Sequence, residues 1–449
     1  MYLNSNQQGD YQLLEQTAAS NNSAESSMVD MTFADEKAAA TMALKDIDLP
    51  LHSAHRPPRG LLSRWLQGSE CRPPKVSHSV ALDGFRGMAT CLVFQAHLPG
   101  GHEAWGQAGL GAFFIFAGFL LVGTLEKLHL KAQASLSPAT PRHTAWQRFK
   151  AAYSWIPEFQ LARAARLMPA QLFMIGTTSY YMYTHSSGEW TGPFLTRAAI
   201  RAIFWSEDYS LEQSPYHQVW SLSFQEVSYL LMCFAMPFVP RSARGKWSFW
   251  ATATAVMLSV STLLTVSESV RFPFDGETYL GFPLLNLNWR RGVAGNIWKI
   301  CFGAFIRTFP WPTWLYKQGR LGGFLAIFMV ASVAWFNDTF INGTDKRDAV
   351  LGHNVVLFNP LMAIVTAAVI LTSIEGNWFT EAAIFKFVAK CSYSAYLWHF
   401  TLSHITHWPN DIITGYGVLL MAIVCAYVST VCVEEPILNA FKKWKGARK

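Results

Sequence analysis

The sequence predicts an all-α protein, a polytopic bundle of about ten transmembrane helices with a disordered polar N-terminal tail. Three observations carry this. Hydrophobic residues make up 51% of the 449 and charged residues only 14%, against about 25% charge in a soluble domain. Eighteen Trp and thirty-two Phe suit a chain with two membrane interfaces, where aromatic rings gather. Apolar runs also recur along the chain at the length of about 20 residues that a spanning helix needs.

The first 77 residues form the tail. They are rich in Asn, Ser, Asp and Glu and have too little apolar surface to offset ordering. They also lack the apolar core of a cleaved leader. Spans are expected near 80–98, 107–125, 167–185, 217–239, 247–266, 294–308, 320–336, 354–373, 384–404 and 412–433, and a basic tail follows over 441–449. The intervening loops alternate in charge. Arg56, Arg59, Arg64, Arg72 and Lys75 fall on one side, as do Lys127, Lys131, Arg142, Arg148 and Lys150, and the C-terminal Lys442, Lys443 and Lys445. The other side holds Glu103, Glu207, Asp208 and Glu212. Positive loops stay inside, so both termini are expected in the cytoplasm, with an endomembrane such as the endoplasmic reticulum as the site. Asn337-Asp-Thr339 and Asn342-Gly-Thr344 are glycosylation sequons in a loop this count puts on the lumenal side.

The net charge of +7 does not point to nucleic acid, because the basic residues are scattered among apolar runs rather than banded. None of the seven Cys lies in a CxxC or Cys/His cluster, so no metal site or disulfide framework is expected.

Ionisable residues inside apolar spans are functional candidates, since lipid offers them no solvation. The first span holds Asp83, Arg86 and, eleven residues further on, His97. On an ideal helix Arg86 and His97 face the same way, roughly 16 Å apart. Asp83 lies one turn before Arg86, placed to pair with it. Gly84 and Gly87 permit close approach of a neighbouring helix. In the fourth span, Trp220, Ser223 and Glu226 cluster. In the ninth, Ser392, Tyr396, His399 and Ser403 line one polar stripe, which must face a cavity or another helix.

These blocks resemble the acyltransferase-3 family of integral membrane acyltransferases. Leu82-Asp-Gly-Phe-Arg86-Gly with His97 is similar to the family's first-helix run. Gly109-Leu-Gly-Ala-Phe-Phe-Ile-Phe-Ala-Gly-Phe-Leu121 resembles its second-helix signature, with Gly111 and Ala117 where many members carry Asp and Ser. Arg163-Ala-Ala-Arg166-Leu-Met-Pro169-Ala170, Trp220-Ser-Leu-Ser-Phe-Gln-Glu226, Ser392-Tyr-Ser-Ala-Tyr396-Leu-Trp-His399 and Val433-Glu434-Glu-Pro436 follow in family order, with Gln225 replacing a Glu. The resemblance covers residues 78–440.

It implies an enzyme that moves an acyl group, acetyl favoured, from acyl-CoA to a hydroxyl, with acyl-CoA as co-substrate and no permanently bound cofactor. His97 would be the general base, a role worth about 10²–10⁴-fold. The alternative is a helix-end histidine bonded to a neighbour. Arg86, Arg163 and Arg166 would hold the phosphates of coenzyme A, since guanidinium forks bind phosphate bidentately. Against that stand headgroup anchoring for Arg163 and Arg166 and an Asp83 salt bridge for Arg86. Glu226 would orient His97, or else pair with an Arg on another helix. Tyr396 and His399 would line the pocket, and Trp220 and Trp398 are either pocket walls or interface anchors. The sequons point to a eukaryotic, fungal-like member acting on a small metabolite in secondary metabolism. A glycan or lipid acceptor is the alternative, and a membrane transporter is the rival from another class, although no repeated half is visible. Oligomeric state is open.

Overall fold

The computed structural model describes residues 71–74, 79–98, 103–134, 144–185, 192–204, 215–269, 293–336, 358–405 and 411–447. All of them belong to one compact unit, Trp65–Lys449. The N-terminal tail up to residue 70 and the sequon residues Asn337 and Asn342 lie outside the described residues.

The described chain is almost wholly helical. In order it runs α1 (Val80–Gln95), α2 (Glu103–Ala134), α3 (Ala145–Tyr153), α4 (Ile156–His185), α5 (Gly192–Ile203), α6 (Trp220–Ala235) and α7 (Ala243–Ser269). Then come α8 (Val293–Thr308), α9 (Gly319–Phe336), α10 (Asn359–Thr372), α11 (Ala383–Lys390), α12 (Ser392–Ile405), α13 (Ile412–Ser429) and α14 (Glu435–Gly446). Two short strands, Cys71–Arg72 and Trp311–Pro312, pair antiparallel. They tie the chain before α1 to the turn after α8.

Local chemistry accounts for several boundaries. Thr144 and Gln147 form a reciprocal capping box at the start of α3, which satisfies two orphan amides. Asp411 caps α13 through the Thr414 amide at 2.9 Å and hydroxyl at 2.6 Å. The Thr414 hydroxyl, then its amide, hold the Asp411 carboxyl below its ordinary range. α4 starts well before the expected third span and carries Pro169 inside it. The ninth expected span is two helices. The backbone leaves helical geometry at Cys391 (φ −107°, ψ 15°), and α12 sets off anew at Ser392. α13 passes through one π turn, Thr430–Glu434, into α14.

α2 packs on α1, α8 and α10 and touches α6 and α9. Its contact with α8 is made backbone to backbone. A Cβ on Gly118 would sit 2.0 Å from the Ile300 carbonyl oxygen, and one on Gly303 would sit 2.0 Å from that of Ile115. Only residues without a side chain permit this spacing. The apolar interior around these contacts includes Phe85, Ile115, Phe119, Ile300 and Ile306, all fully buried or nearly so.

Among the described residues two helices are long and apolar enough to cross a membrane, Ala104–Ala134 and Ile412–Gly446. Gly319–Trp335 and Asn359–Thr372 are shorter apolar helices. The expected ten are therefore not all visible by length and hydropathy. The physical reason is composition and length. α1 has only 16 residues and α12 only 14, and α4 mixes Glu158, Arg163 and Arg166 into its apolar sequence. The outer faces nonetheless suit lipid. Ile413, Tyr416, Leu420, Val424 and Tyr427 form an exposed stripe down α13, and Phe324 and Phe328 are exposed on α9. Apolar stripes of this kind are costly in water.

Replacing Gly118 with Val should lower the thermal midpoint of the detergent-purified protein, because overpacking typically costs about 1–3 kcal/mol. Gly176→Ala, where a Cβ meets nothing within 4 Å, should leave it unchanged or raise it slightly. Equal midpoints for both variants in a melting assay would refute the tight α2–α8 contact.

Candidate active site

α1 is held at its charged end by Arg86. The guanidinium donates from Nη2 to the carbonyl of Ala389 at 2.9 Å, in the last turn of α11, where carbonyls are short of partners and the helix dipole favours a cation. Asp83 lies 3.8 Å from the same nitrogen, so it supports the charge without a tight hydrogen bond. The Arg86 Nε is buried with no hydrogen-bond partner. The close neighbour expected from Gly84 and Gly87 is the 380–389 segment. A Cβ on Gly84 would sit 1.8 Å from the Thr380 oxygen, and one on Gly87 would sit 2.0 Å from the Phe385 oxygen.

Arg163 and Glu226 form a bidentate ion pair between α4 and α6. Nε lies 3.1 Å from each carboxylate oxygen and Nη2 also contacts Oε1. The Arg163 guanidinium also stacks on Tyr229 at 4.0 Å, whose hydroxyl takes a hydrogen bond from Gln225. Glu226 is thus engaged by an arginine on another helix, the alternative set beside its expected role of orienting His97. Arg163 is likewise committed to a carboxylate, which weakens its case as a phosphate ligand. Arg166, by contrast, is exposed and lies within electrostatic range of Arg86 and Glu434. Glu434 is buried and accepts from Ser394 and Thr430.

The other end of α1 builds a histidine pair. The helix stops at Gln95, and His97 follows in a terminal turn with its amide bonded to the Phe94 carbonyl at 2.9 Å. Its ring centroid lies 5.0 Å from that of His399 on α12 and 5.4 Å from Phe400. His399 is buried. Its Nδ1 sits 2.6 Å from the Tyr396 carbonyl, which can only accept, so Nδ1 carries the proton and Nε2 keeps its lone pair. That Nε2 is buried with no hydrogen-bond partner. An unpartnered buried basic nitrogen is costly unless a ligand or water completes it.

α12 is braced by polar contacts that the sequence reading passed over. The Tyr396 hydroxyl donates to the Gln218 carbonyl at 2.7 Å and accepts from Ser221 at 2.6 Å. Gln218 in turn donates to the Leu397 carbonyl and to Thr401. Ser223 turns instead to the Val219 carbonyl. Ser403 bonds the His399 carbonyl, while Ser392 is buried at the start of α12. Trp220 is half-buried. Trp398 is buried against Phe173, its Nε1 without a partner. A further omission is Lys299, buried inside the sixth expected span, which the rule for intramembrane charges would have flagged. Among the described residues no group of three or more His, Cys, Asp or Glu is placed to hold a metal.

The Arg163–Glu226 pair yields a sharp test. Glu226→Met alone should strongly destabilise the fold, since orphaning one member of a buried pair costs about 3–5 kcal/mol, and adding Arg163→Met should recover most of the loss. Simple additivity of the two melting-point shifts would show that the pair is not coupled.

Residues 79–433 match the family model described as an acyltransferase domain, acyltransferase type 3. Curated relatives include proteins named O-acetyltransferase OatA from Staphylococcus aureus strains NCTC 8325 / PS 47, COL and MRSA252. Each is 22% identical over 384 residues, covering 79% of this chain and 56% of the relative. The chain thus spans little more than half the length of the curated relatives it matches. No solved structure matches. With most of its length matched to the family model, the chain belongs to the acyltransferase-3 family of membrane acyltransferases.

Proposed function

We propose that the protein is a membrane O-acyltransferase that moves an acyl group, acetyl favoured, from acyl-CoA to the hydroxyl of a small metabolite. The observation that carries this reading is the His97–His399 pair, with centroids 5.0 Å apart and a bare Nε2 on His399, three helical turns from Arg86. Two imidazoles packed side by side suit proton removal from a hydroxyl. As the hydroxyl oxygen bonds to the thioester carbonyl, one imidazole takes the hydroxyl proton. The tetrahedral adduct then expels the coenzyme A thiolate, which takes that proton back. In this scheme His97 is the base that meets the acceptor, and His399, fixed through Tyr396, packs against it and shares the proton.

Arg86 and Arg166 supply positive charge at the other end of α1. Coenzyme A carries its phosphates there in this proposal, and its pantetheine arm reaches along α1 toward His97. Arg163 serves chiefly as the structural partner of Glu226. Around this centre we propose about ten membrane crossings, cytoplasmic termini and an endomembrane location, supported by the loop charges and the exposed apolar stripes. The relatives' name, O-acetyltransferase, supports acetyl as the group transferred.

His97→Ala should reduce release of free coenzyme A from acetyl-CoA at least about 100-fold, with unchanged expression and membrane insertion. Arg166→Gln should leave kcat near wild type while raising the apparent KM for acetyl-CoA. Wild-type turnover in the first variant, or an unaltered donor KM in the second, would remove the corresponding role. The assay is thiol release by protein reconstituted in lipid with a mixture of candidate hydroxyl acceptors.

A further inference from the structure

A second charged site lies on the far side of α2 from α1. On α2, Gly106 and Gly109 face α1: a Cβ on Gly106 would sit 3.2 Å from that of Ala96, and one on Gly109 would sit 2.8 Å from the Ala89 oxygen. Gly111 follows Gly109 by two residues, about 200° around the helix, so it turns away from α1 and toward α8. There it meets Lys299. A Cβ built on Gly111 lies 4.0 Å from the Lys299 Nζ and 4.0 Å from its Cε, and outside its own stretch of helix backbone no other described atom comes within 4 Å. The absent side chain thus leaves space directly beside the ammonium.

Lys299 is 3% exposed. Among the described residues its hydrogen bond is to Asn296 Oδ1 at 2.9 Å, and its Nζ lies 5.8 Å from the Trp298 ring. Among the described residues no carboxylate pairs with it. A buried ammonium with no counter-charge is unfavourable. The cheapest remedy is an anion in the adjoining space.

We propose that Lys299, oriented by Asn296 and opening onto the space beside Gly111, forms an anion site that takes a small free carboxylate of about the size of acetate. One ammonium balances one negative charge, which suits a monoanion rather than a phosphate. The space left by one missing short side chain suits a carboxylate on a one- or two-carbon stem. Asn296 accepts from the ammonium through its oxygen, which fixes the direction of the remaining N–H groups. Because α2 separates this site from α1, a carboxylate here does not compete for the His97 centre.

The test is thermal unfolding of the full chain, purified in detergent, in sodium acetate against sodium chloride at matched ionic strength. Acetate should raise the wild-type midpoint by about 2 °C relative to chloride, as a ligand selective for the folded state does. Two variants address the site from opposite directions. Lys299→Met removes the cation and should abolish the acetate response while leaving the midpoint at or above wild type, since an uncompensated charge is gone. Gly111→Asp supplies a tethered carboxylate within reach of Nζ. It should raise the midpoint in chloride and make acetate ineffective. An acetate response that persists in both variants would locate the effect elsewhere and overturn the proposal. So would a wild-type protein indifferent to acetate, or one stabilised equally by chloride.

Discussion

Backbone-to-backbone contact at glycine sets the position of α1, and through it the geometry of the candidate active site. Gly84 and Gly87 bring α1 against the 380–389 segment so closely that no side chain fits between them. At that spacing the Arg86 guanidinium reaches the Ala389 carbonyl, and the chain leaving α11 restarts as α12 within two residues. The break at Cys391 redirects α12 so that His399 lies beside the end of α1. A continuous ninth helix would not have been free to turn there. Dispersion at these short separations is the driving term between helices where lipid on the outside is as apolar as the core.

The molecule then separates two kinds of chemistry along one helix. Arg86, Arg166, Glu434 and the Arg163–Glu226 pair lie toward one end, where charges meet charges. His97, His399, Phe94, Phe400 and Tyr396 lie at the other, where rings meet rings. The Tyr396–Ser221–Gln218–Thr401 contacts keep α12 rigid behind His399. In the proposed reaction this fixes the ring against which His97 packs, so little reorganisation is needed when a hydroxyl arrives.

Much of this was legible in the sequence, and the failures have physical causes. Helix α1 with Asp83 and Arg86, and His97 near its end, could be read directly, because ionisable groups stand out in an apolar run, although the expected span to residue 98 put His97 inside the helix rather than in the turn that follows it. The all-helical architecture followed from composition. The division of the ninth span did not show, since Ala389-Lys-Cys-Ser-Tyr393 contains neither Gly nor Pro to mark a break. The partner of Glu226 was open between His97 and an arginine, because helix spacing says nothing about which neighbour a side chain meets across 63 residues. Gln218 and Ser221 were overlooked for the same reason: their partners lie more than 170 residues away. Lys299 was a different kind of omission. Its charge was visible in an apolar segment, but its significance depends on Gly111, a neighbour only the fold reveals.

The claim on which the account rests is that donor phosphates and reacting thioester occupy opposite ends of α1. The most direct measurement is a cryo-electron microscopy map of the protein in lipid with a non-hydrolysable thioether analogue of acetyl-CoA. Phosphate density is expected within roughly 3.5 Å of the Arg86 or Arg166 guanidinium, with the sulfur and acyl group lying between the His97 and His399 rings. Phosphates found beside His97, or an acyl group remote from both histidines, would contradict it.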